Sequence, residues 1–271
     1  MKIGKATVPH TAICTSDEHT IVVRGADLCD DLIGHIGFAD YFFFLVTGRR
    51  ADAPTSTVLN ATLVAIAEHG LVPSVQAARM TLAAAPDALQ GAVAAGILGS
   101  GSVILGASET AGRMFVEIDR EAARNGGDLK AAARSVVSAR REKREAIPGY
   151  GHPLHKDRDP RVARLFEVSK AAGAGQRFVE IAEAVEAVIG SVIGKDLRLN
   201  VSAAIPAVLL GVGFPVSALK GVPMLARTAG LIAHLAEEQE APIGFALSYQ
   251  ATREQRYTGE VPAHFGAALA D

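Results

Sequence analysis

From Val201 to Leu219 this chain carries no charged residue, a run close in length to a bilayer span. Such a run is either wrapped in lipid or buried in protein. Pro206, Gly211, Gly213 and Pro215 interrupt it, and proline and glycine both break a continuous spanning helix. The expectation is two short buried helices. At 271 residues the chain is long enough to bury them in a large core.

The rest of the pattern suits such a core. Hydrophobic residues make up 49%, with 27 Gly, four Tyr and no Trp; closely packed helices use that mixture better than a β-sandwich does. Residues 1–25 alternate briefly, as in Thr20–Gly25, which fits a small β-element or an extended arm. Asp27 to Arg49 reads as two short helices, the first capped by Asp27 and the second stopped by Gly48. Amphipathic helices are predicted over Thr55–Glu68 and Ser74–Ala85. A Gly/Ala/Ser-rich apolar stretch covers Gln90–Glu109, and charged, surface-facing helices cover Ser108–Arg124 and Asp128–Arg144. After the turn-rich Ile147–His155 come helices near 160–172, 175–193, 200–219 and 222–238, then an irregular tail. Helix following helix predicts an all-α fold.

A formal net charge of -2 gives no reason to expect nucleic acid or an anionic membrane as partner. Cys14 and Cys29 are too few for a disulfide framework, and no Cys/His spacing suggests a metal. The start of the chain lacks the apolar run of a signal peptide. A reducing, cytoplasmic setting and no metal are expected.

Proton chemistry near neutral pH points first to histidine. His10, His19 and His264 lie in polar or terminal contexts and read as surface residues; His234, on the apolar Leu231–Leu235 stretch, reads as a core histidine. His152 differs, because Gly149-Tyr-Gly-His-Pro153 lets backbone approach a ligand and offers N–H donors. Asp159-Pro-Arg161 then places a guanidinium at a helix start, the natural bidentate partner of a carboxylate. Together they fit chemistry on an oxo- or hydroxy-acid, although a glycine-rich string with a histidine is also compatible with a plain turn.

The string Pro148-Gly-Tyr-Gly-His-Pro-Leu-His-Lys-Asp-Arg-Asp-Pro-Arg161 closely resembles the signature loop of citrate synthases and citryl-CoA lyases. Arg24-Gly-Ala-Asp-Leu28 with Phe38–Gly48, Ala67-Glu-His-Gly70 and Leu225–His234 resemble further segments of that family in the same order. The likeness runs from about residue 20 to 260. It implies a citrate synthase-like fold with a large helical domain (1–109 and 200–271) and a smaller helical lobe (110–199) that closes on ligand. It implies a homodimer acting on a coenzyme A thioester and a di- or tricarboxylate.

By the same resemblance His152 would meet the oxygen at the reacting carbon, and His69 would face the acid. Arg161 and Arg227 would each hold a carboxylate. Arg256, or Arg253, would be the arginine that the tail lends to a partner subunit. The backbone of Ile147, Pro148, Gly149, Tyr150 and Gly151 would lie along the adenine of CoA, with Lys156 near a phosphate. Arg140, Arg141, Lys143 and Arg144 could add to that phosphate site or form a solvated helix face.

Two positions depart from the family pattern. Ile104 stands where citrate synthases carry a histidine, which lyase-branch proteins also tend to lack. Ser202, in Leu199-Asn-Val-Ser202, stands where the family has its carboxylate base. A hydroxyl cannot remove an α-proton at neutral pH without its own base. Ordinary citrate synthesis is therefore disfavoured. The expected activity is a citryl-CoA lyase-type carbon–carbon cleavage or formation, with Ser202 orienting the thioester or a water. Glu68, Glu109, Asp157 and Asp196 are the carboxylates that could stand in as base. The alternative is a catalytically silent homologue that binds a CoA ester or acid as sensor or partner subunit.

Overall fold

The computed structural model describes residues 9–101, 105–151 and 159–265. The described chain begins in a small antiparallel sheet, β1 (Cys14–Ser16), β2 (Ile21–Val23) and β3 (Ala26–Asp27), paired in chain order. Arg24 and Gly25 turn β2 into β3 with φ of 52° and 85°, the left-handed pair that a tight hairpin uses. Arg24 is held there by its own side chain, whose Nε and Nη2 donate to the Leu45 carbonyl at 2.9 and 2.6 Å. Leu45 belongs to α1 (Phe38–Thr47), which Gly48 ends at φ 72°. The Asp27 cap is present, its Oδ1 accepting from the Cys29 and Asp30 N–H groups. The segment it caps is a single π-type turn, Leu28–Leu32.

Ten further helices follow among the described residues: α2 (Ala53–Ala67), α3 (Pro73–Ala84), α4 (Leu89–Leu98), α5 (Gly106–Arg124), α6 (Leu129–Glu142), α7 (Pro160–Ala171), α8 (Arg177–Ile193), α9 (Val201–Gly211), α10 (Gly221–Glu240) and α11 (Gly244–Glu254). Asp52, Asp128, Asp159 and Asn200 each cap the helix they precede by accepting a first-turn N–H, a device worth about 1 kcal/mol each.

The chain groups into two compact units. The first takes in residues 1–69 and 100–229. Within it α5, α6, α8 and α9 pack together, α7 lies on α2 and α9, and the core is built around Met114, Phe115, Ile118, Ile189, Leu199 and Ile205. Phe214 joins Phe42 and Phe43, its ring centroid 6.1 Å from each. α9 is buried along most of its length despite Pro206 in its interior. Gly112 of α5 makes room there: a Cβ on it would sit 3.2 Å from that of Pro206 and 2.3 Å from Leu219 Cδ1. The second unit takes in residues 70–99 and 230–271. In it α3 packs on α4 and α11 around Val75, Ala78, Leu82, Ala92, Leu231 and Leu235.

Three sequence expectations change. The irregular tail begins with a helix, α11, whose largely exposed surface gave no core periodicity to read. Of the two helices expected over 201–219 only the first forms. Gly213 turns at φ 75°, Pro215 follows, and the remainder is the one 3-10 turn Val216–Ala218. Finally, α5 and α6 are not merely surface helices. Met114, Phe115, Ile118, Ala132, Ala133 and Val137 are fully buried, and charge confined to the opposite face disguised that stripe.

Candidate functional site

Three backbone segments of the first unit meet at the start of α9. The Gly151 N–H donates to the Arg198 carbonyl at 2.7 Å, and the Asn200 N–H to the Gly149 carbonyl at 2.9 Å, so that Tyr150 and Leu199 form an isolated antiparallel bridge. Asn200 closes the arrangement with its side chain. Its Nδ2 donates to the Gly151 carbonyl at 2.7 Å, and its Oδ1 accepts the Ser202 N–H at 2.9 Å. One amide therefore caps α9 and grips the loop. The Tyr150 hydroxyl anchors the same loop by donating to the Ala182 carbonyl at 2.8 Å. The expected freedom of Gly149 is used inside the protein. At φ 85° a Cβ there would lie 2.4 Å from that of Ala203 and 2.8 Å from its backbone nitrogen.

The third segment is the start of α7. Asp159, 2% exposed, accepts the Arg161 N–H and Nε on Oδ1, both at 3.0 Å. On Oδ2 it accepts Arg161 Nη2 at 2.8 Å and the Val201 N–H at 3.4 Å. Burial pushes the Asp159 carboxyl up, but the Arg161 side chain, the Arg161 N–H and charge, and the Val201 N–H outweigh it and hold it below its ordinary value of 3.8.

Arg227 of α10 is the electrostatic counterpart. It is 3% exposed, and its Nε and Nη1 are buried without a hydrogen-bond partner among the described residues. Burial pulls its guanidinium below the usual arginine range; the Glu68 charge opposes this and the Arg161 charge adds to it. Arg227 thus feels the charges of both Glu68 and Arg161. His69 follows Glu68, is exposed, and gives its N–H to Glu68 Oε1 at 2.8 Å. A buried guanidinium with idle donors is costly, and an anionic ligand repays that cost with charge-assisted hydrogen bonds.

Of the residues singled out in the sequence, the structure brings together Arg161, Arg227, the Ile147–Gly151 loop and, through the Asn200 cap, Ser202. Ile147 and Tyr150 are buried and Pro148 half-buried. Ser202 is the second residue of α9, and Pro206 has no N–H to give its carbonyl four residues back. Arg256 lies exposed beyond α11, in the second unit. His152, Lys156 and Ile104 lie outside the described residues, as do His155 and Asp157. Arg140 stands 3.4 Å from both Glu117 and Glu145, and Arg141 donates to the Val192 carbonyl. His234 is 15% exposed, with Nδ1 4.0 Å from Glu237 Oε2. The sequence reading gave no role to Asp159 or Asn200. Their signal was present as helix-capping residues directly ahead of α7 and α9.

The profile of the citrate synthase C-terminal domain matches residues 31–244. This chain belongs to the citrate synthase family. Its all-α architecture is the citrate synthase-like fold. The structure of citryl-CoA lyase from Hydrogenobacter thermophilus shares 32% identity with it at a TM-score of 0.82, covering 98% of this chain and 100% of that one. ATP citrate lyase from Methanothrix soehngenii, solved in complex with citrate and coenzyme A, shares the fold at a TM-score of 0.75 and 21% identity, over 97% of this chain and 44% of its own. Citrate synthase 2 of Bacillus subtilis is 27% identical over 75% of this chain and 53% of its own length. Citrate synthase of Haloferax volcanii is 27% identical over 89% and 60%. The chain thus spans between half and two thirds of the length of these synthases. Among the described residues no helix is long and apolar enough to cross a membrane.

Proposed function

We propose that this member of the citrate synthase family is a CoA-thioester carbon–carbon lyase of the citryl-CoA lyase type. Its substrate would be a 3-hydroxy-3-carboxyacyl-CoA such as citryl-CoA, cleaved to acetyl-CoA and an oxo acid or formed from them. The observation that carries the reading is the buried Arg227, whose Nε and Nη1 have no hydrogen-bond partner among the described residues and which feels the charge of Arg161. An acid with two carboxylates is the ligand that satisfies both. The likeness over the whole length of a lyase, rather than over about half of a synthase, supports the same side.

In the proposed cleavage Arg161 and Arg227 each hold a carboxylate, with His69 facing the acid. His152 takes the proton of the substrate hydroxyl. The carbon–oxygen bond becomes a carbonyl as the adjacent carbon–carbon bond breaks. That electron pair passes into the thioester enolate, which gains a proton at carbon to give the acyl-CoA. No oxidant or reductant is required. Ser202 orients the thioester or a water. The Ile147, Pro148, Gly149, Tyr150 and Gly151 backbone lies along the CoA adenine, and Lys156 meets a phosphate. The remaining elements of the reading are a cytoplasmic homodimer, a lobe over 110–199 that closes on ligand, and Arg256 lent by the partner subunit.

Ser202 in place of the family carboxylate favours a second reading, a silent homologue that binds the ester or acid as sensor or partner subunit. Incubation with citryl-CoA and measurement of acetyl-CoA and oxaloacetate separates the two. Release of both products supports the lyase. Tight CoA binding without turnover of any 3-hydroxyacyl-CoA supports the silent protein.

A further inference from the structure

Two guanidiniums that feel each other's charge repel, and one of them, Arg227, has its Nε and Nη1 buried without a hydrogen-bond partner among the described residues. The other does have one. Arg161 spends its Nε and Nη2 on Asp159 in a side-on pair. Its Nη1 makes no hydrogen bond among the described residues, so that end is the part left for a ligand. A free arginine can swing among rotamers and would turn away from a second cation. Arg161 cannot do so without abandoning a carboxylate whose side chain is 1% exposed.

The carboxylate is fixed in turn. Asp159 is the cap of α7, accepting the Arg161 N–H, and its Oδ2 also accepts the Val201 N–H at the start of α9. Each oxygen accepts from two N–H groups. An asparagine therefore cannot replace it in either amide orientation without setting an N–H₂ against other donors. The first-turn donors of α9 are consumed as well. The Val201 N–H goes to Asp159, the Ser202 N–H to the Asn200 side chain and the Ala203 N–H to the Asn200 carbonyl. That helix start offers a ligand little, which leaves anion binding to the guanidiniums.

We propose that Asp159 is a positioning residue for acid binding. It touches no ligand. It neutralises Arg161 and fixes its guanidinium side-on, leaving one end free for a ligand, and it ties that placement to the start of α9. The proposal rests on the reading of Arg161 and Arg227 as carboxylate ligands.

A double-mutant cycle on the full-length protein tests it, with citrate as the probe and its dissociation constant measured by calorimetry. The variants are Asp159→Ser, Arg161→Ala and the pair. Serine is chosen because it still caps α7, and thermal denaturation of each variant checks the fold. Asp159→Ser should weaken citrate binding about tenfold in the wild-type background, the scale of one lost charge-assisted contact. In the Arg161→Ala background it should weaken binding less than about twofold, since no guanidinium remains to be aimed. Equal weakening in both backgrounds would make Asp159 merely structural, and unchanged binding in the first would remove it from the site; either overturns the proposal. If Asp159→Ser fails to fold, Asp159→Thr, which also caps α7, takes its place in the same cycle. Wild-type protein that binds no citrate, oxaloacetate or other dicarboxylate sinks the functional reading itself, and this proposal with it. Wild-type binding with an additive cycle sinks only the positioning role.

Discussion

Gly149 and Ala203 meet backbone to side chain, so closely that a Cβ on Gly149 would fall 2.4 Å from the Ala203 Cβ and 2.9 Å from its Cα. Ala203 sits in the first turn of α9 and cannot retreat, because its N–H is bonded to the Asn200 carbonyl at 3.1 Å. Gly149 is also at φ 85°, where a side chain is strained whatever the space. Gly149→Ala should therefore cost more than about 2 kcal/mol of stability, strain and clash together. Gly151 has the same φ, but its added Cβ would meet only the end of the Leu197 side chain, at 3.3 Å. Gly151→Ala should cost about 1 kcal/mol. Urea denaturation of both variants checks the order; equal losses would mean the contact with α9 contributes nothing.

Arg227 sets stability against function. Its Nε and Nη1 are desolvated and unpaired among the described residues, so in the ligand-free protein it carries an unrepaid desolvation cost. Arg227→Met keeps most of the packing volume and removes the charge. The variant should be more stable than wild type by about 1–3 kcal/mol without ligand, and should lose the stabilisation that citrate gives the wild type. Melting temperature with and without citrate reads both effects. A variant that is less stable and still responds to citrate would remove Arg227 from the acid site.

Much of this was legible in the chain itself, for reasons that particular residues show. Asp27 and Asp128 start elements, and Gly48 ends one, where they were expected to, because caps and left-handed glycines act within a few residues. The π-type turn at Leu28–Leu32 and the helix Gly244–Glu254 were not legible. The first is shaped by what Val23 and Phe44 pack against it, and the second hides little surface that could impose a period. At the site, the types of Arg161 and Arg227 could be read, but not that one is paired and the other idle. Arg161 is paired by Asp159 two residues away, but the idle Nε and Nη1 of Arg227 depend on what packs around α10, a relation that local pattern does not carry. The Gly-rich loop was expected to open backbone to a ligand. In Gly149 the same property serves packing against α9.

The second unit carries a buried ion network with a definite pH signature. Arg79, 2% exposed, is bonded through Nε to Glu238 at 2.5 Å and through Nη1 to Glu237 at 2.5 Å. Glu238, 3% exposed, also accepts the Ile243 and Gly244 N–H groups. Burial raises the Glu238 carboxyl, but Arg79 and those two N–H groups outweigh it and set it below its ordinary 4.5. A depressed folded-state value contributes stability that is present above the unfolded value and lost as pH falls through the folded one. Wild-type stability should thus decline as pH drops below about 4.5, and Glu238→Gln should flatten that part of the curve. At neutral pH Glu238→Gln should cost about 3–5 kcal/mol, because Arg79 keeps its charge in the interior with the exposed Glu237 as its remaining counter-ion among the described residues. Denaturation curves between neutral and acidic pH test both; parallel profiles for variant and wild type would show that Glu238 does not titrate in this way.

Ser202 decides how far this chain has moved from proton abstraction at carbon. It occupies the second position of α9, where an acidic side chain is favoured by the helix dipole by about 0.3–1 kcal/mol. Ser202→Asp should consequently fold at least as well as wild type. A carboxylate at that point has the base strength that a hydroxyl lacks. With acetyl-CoA in heavy water, Ser202→Asp should exchange the acetyl protons at least about a hundredfold faster than wild type, the low end of what a positioned base contributes. Ser202→Ala, by contrast, should slow citryl-CoA cleavage less than about tenfold if the hydroxyl only orients the thioester or a water. The two variants answer different questions. Fast exchange in Ser202→Asp places residue 202 beside the α-carbon whatever the natural reaction is. A hundredfold loss in Ser202→Ala would instead make the hydroxyl a proton carrier in its own right, and the division of labour proposed between His152 and Ser202 would have to be reversed.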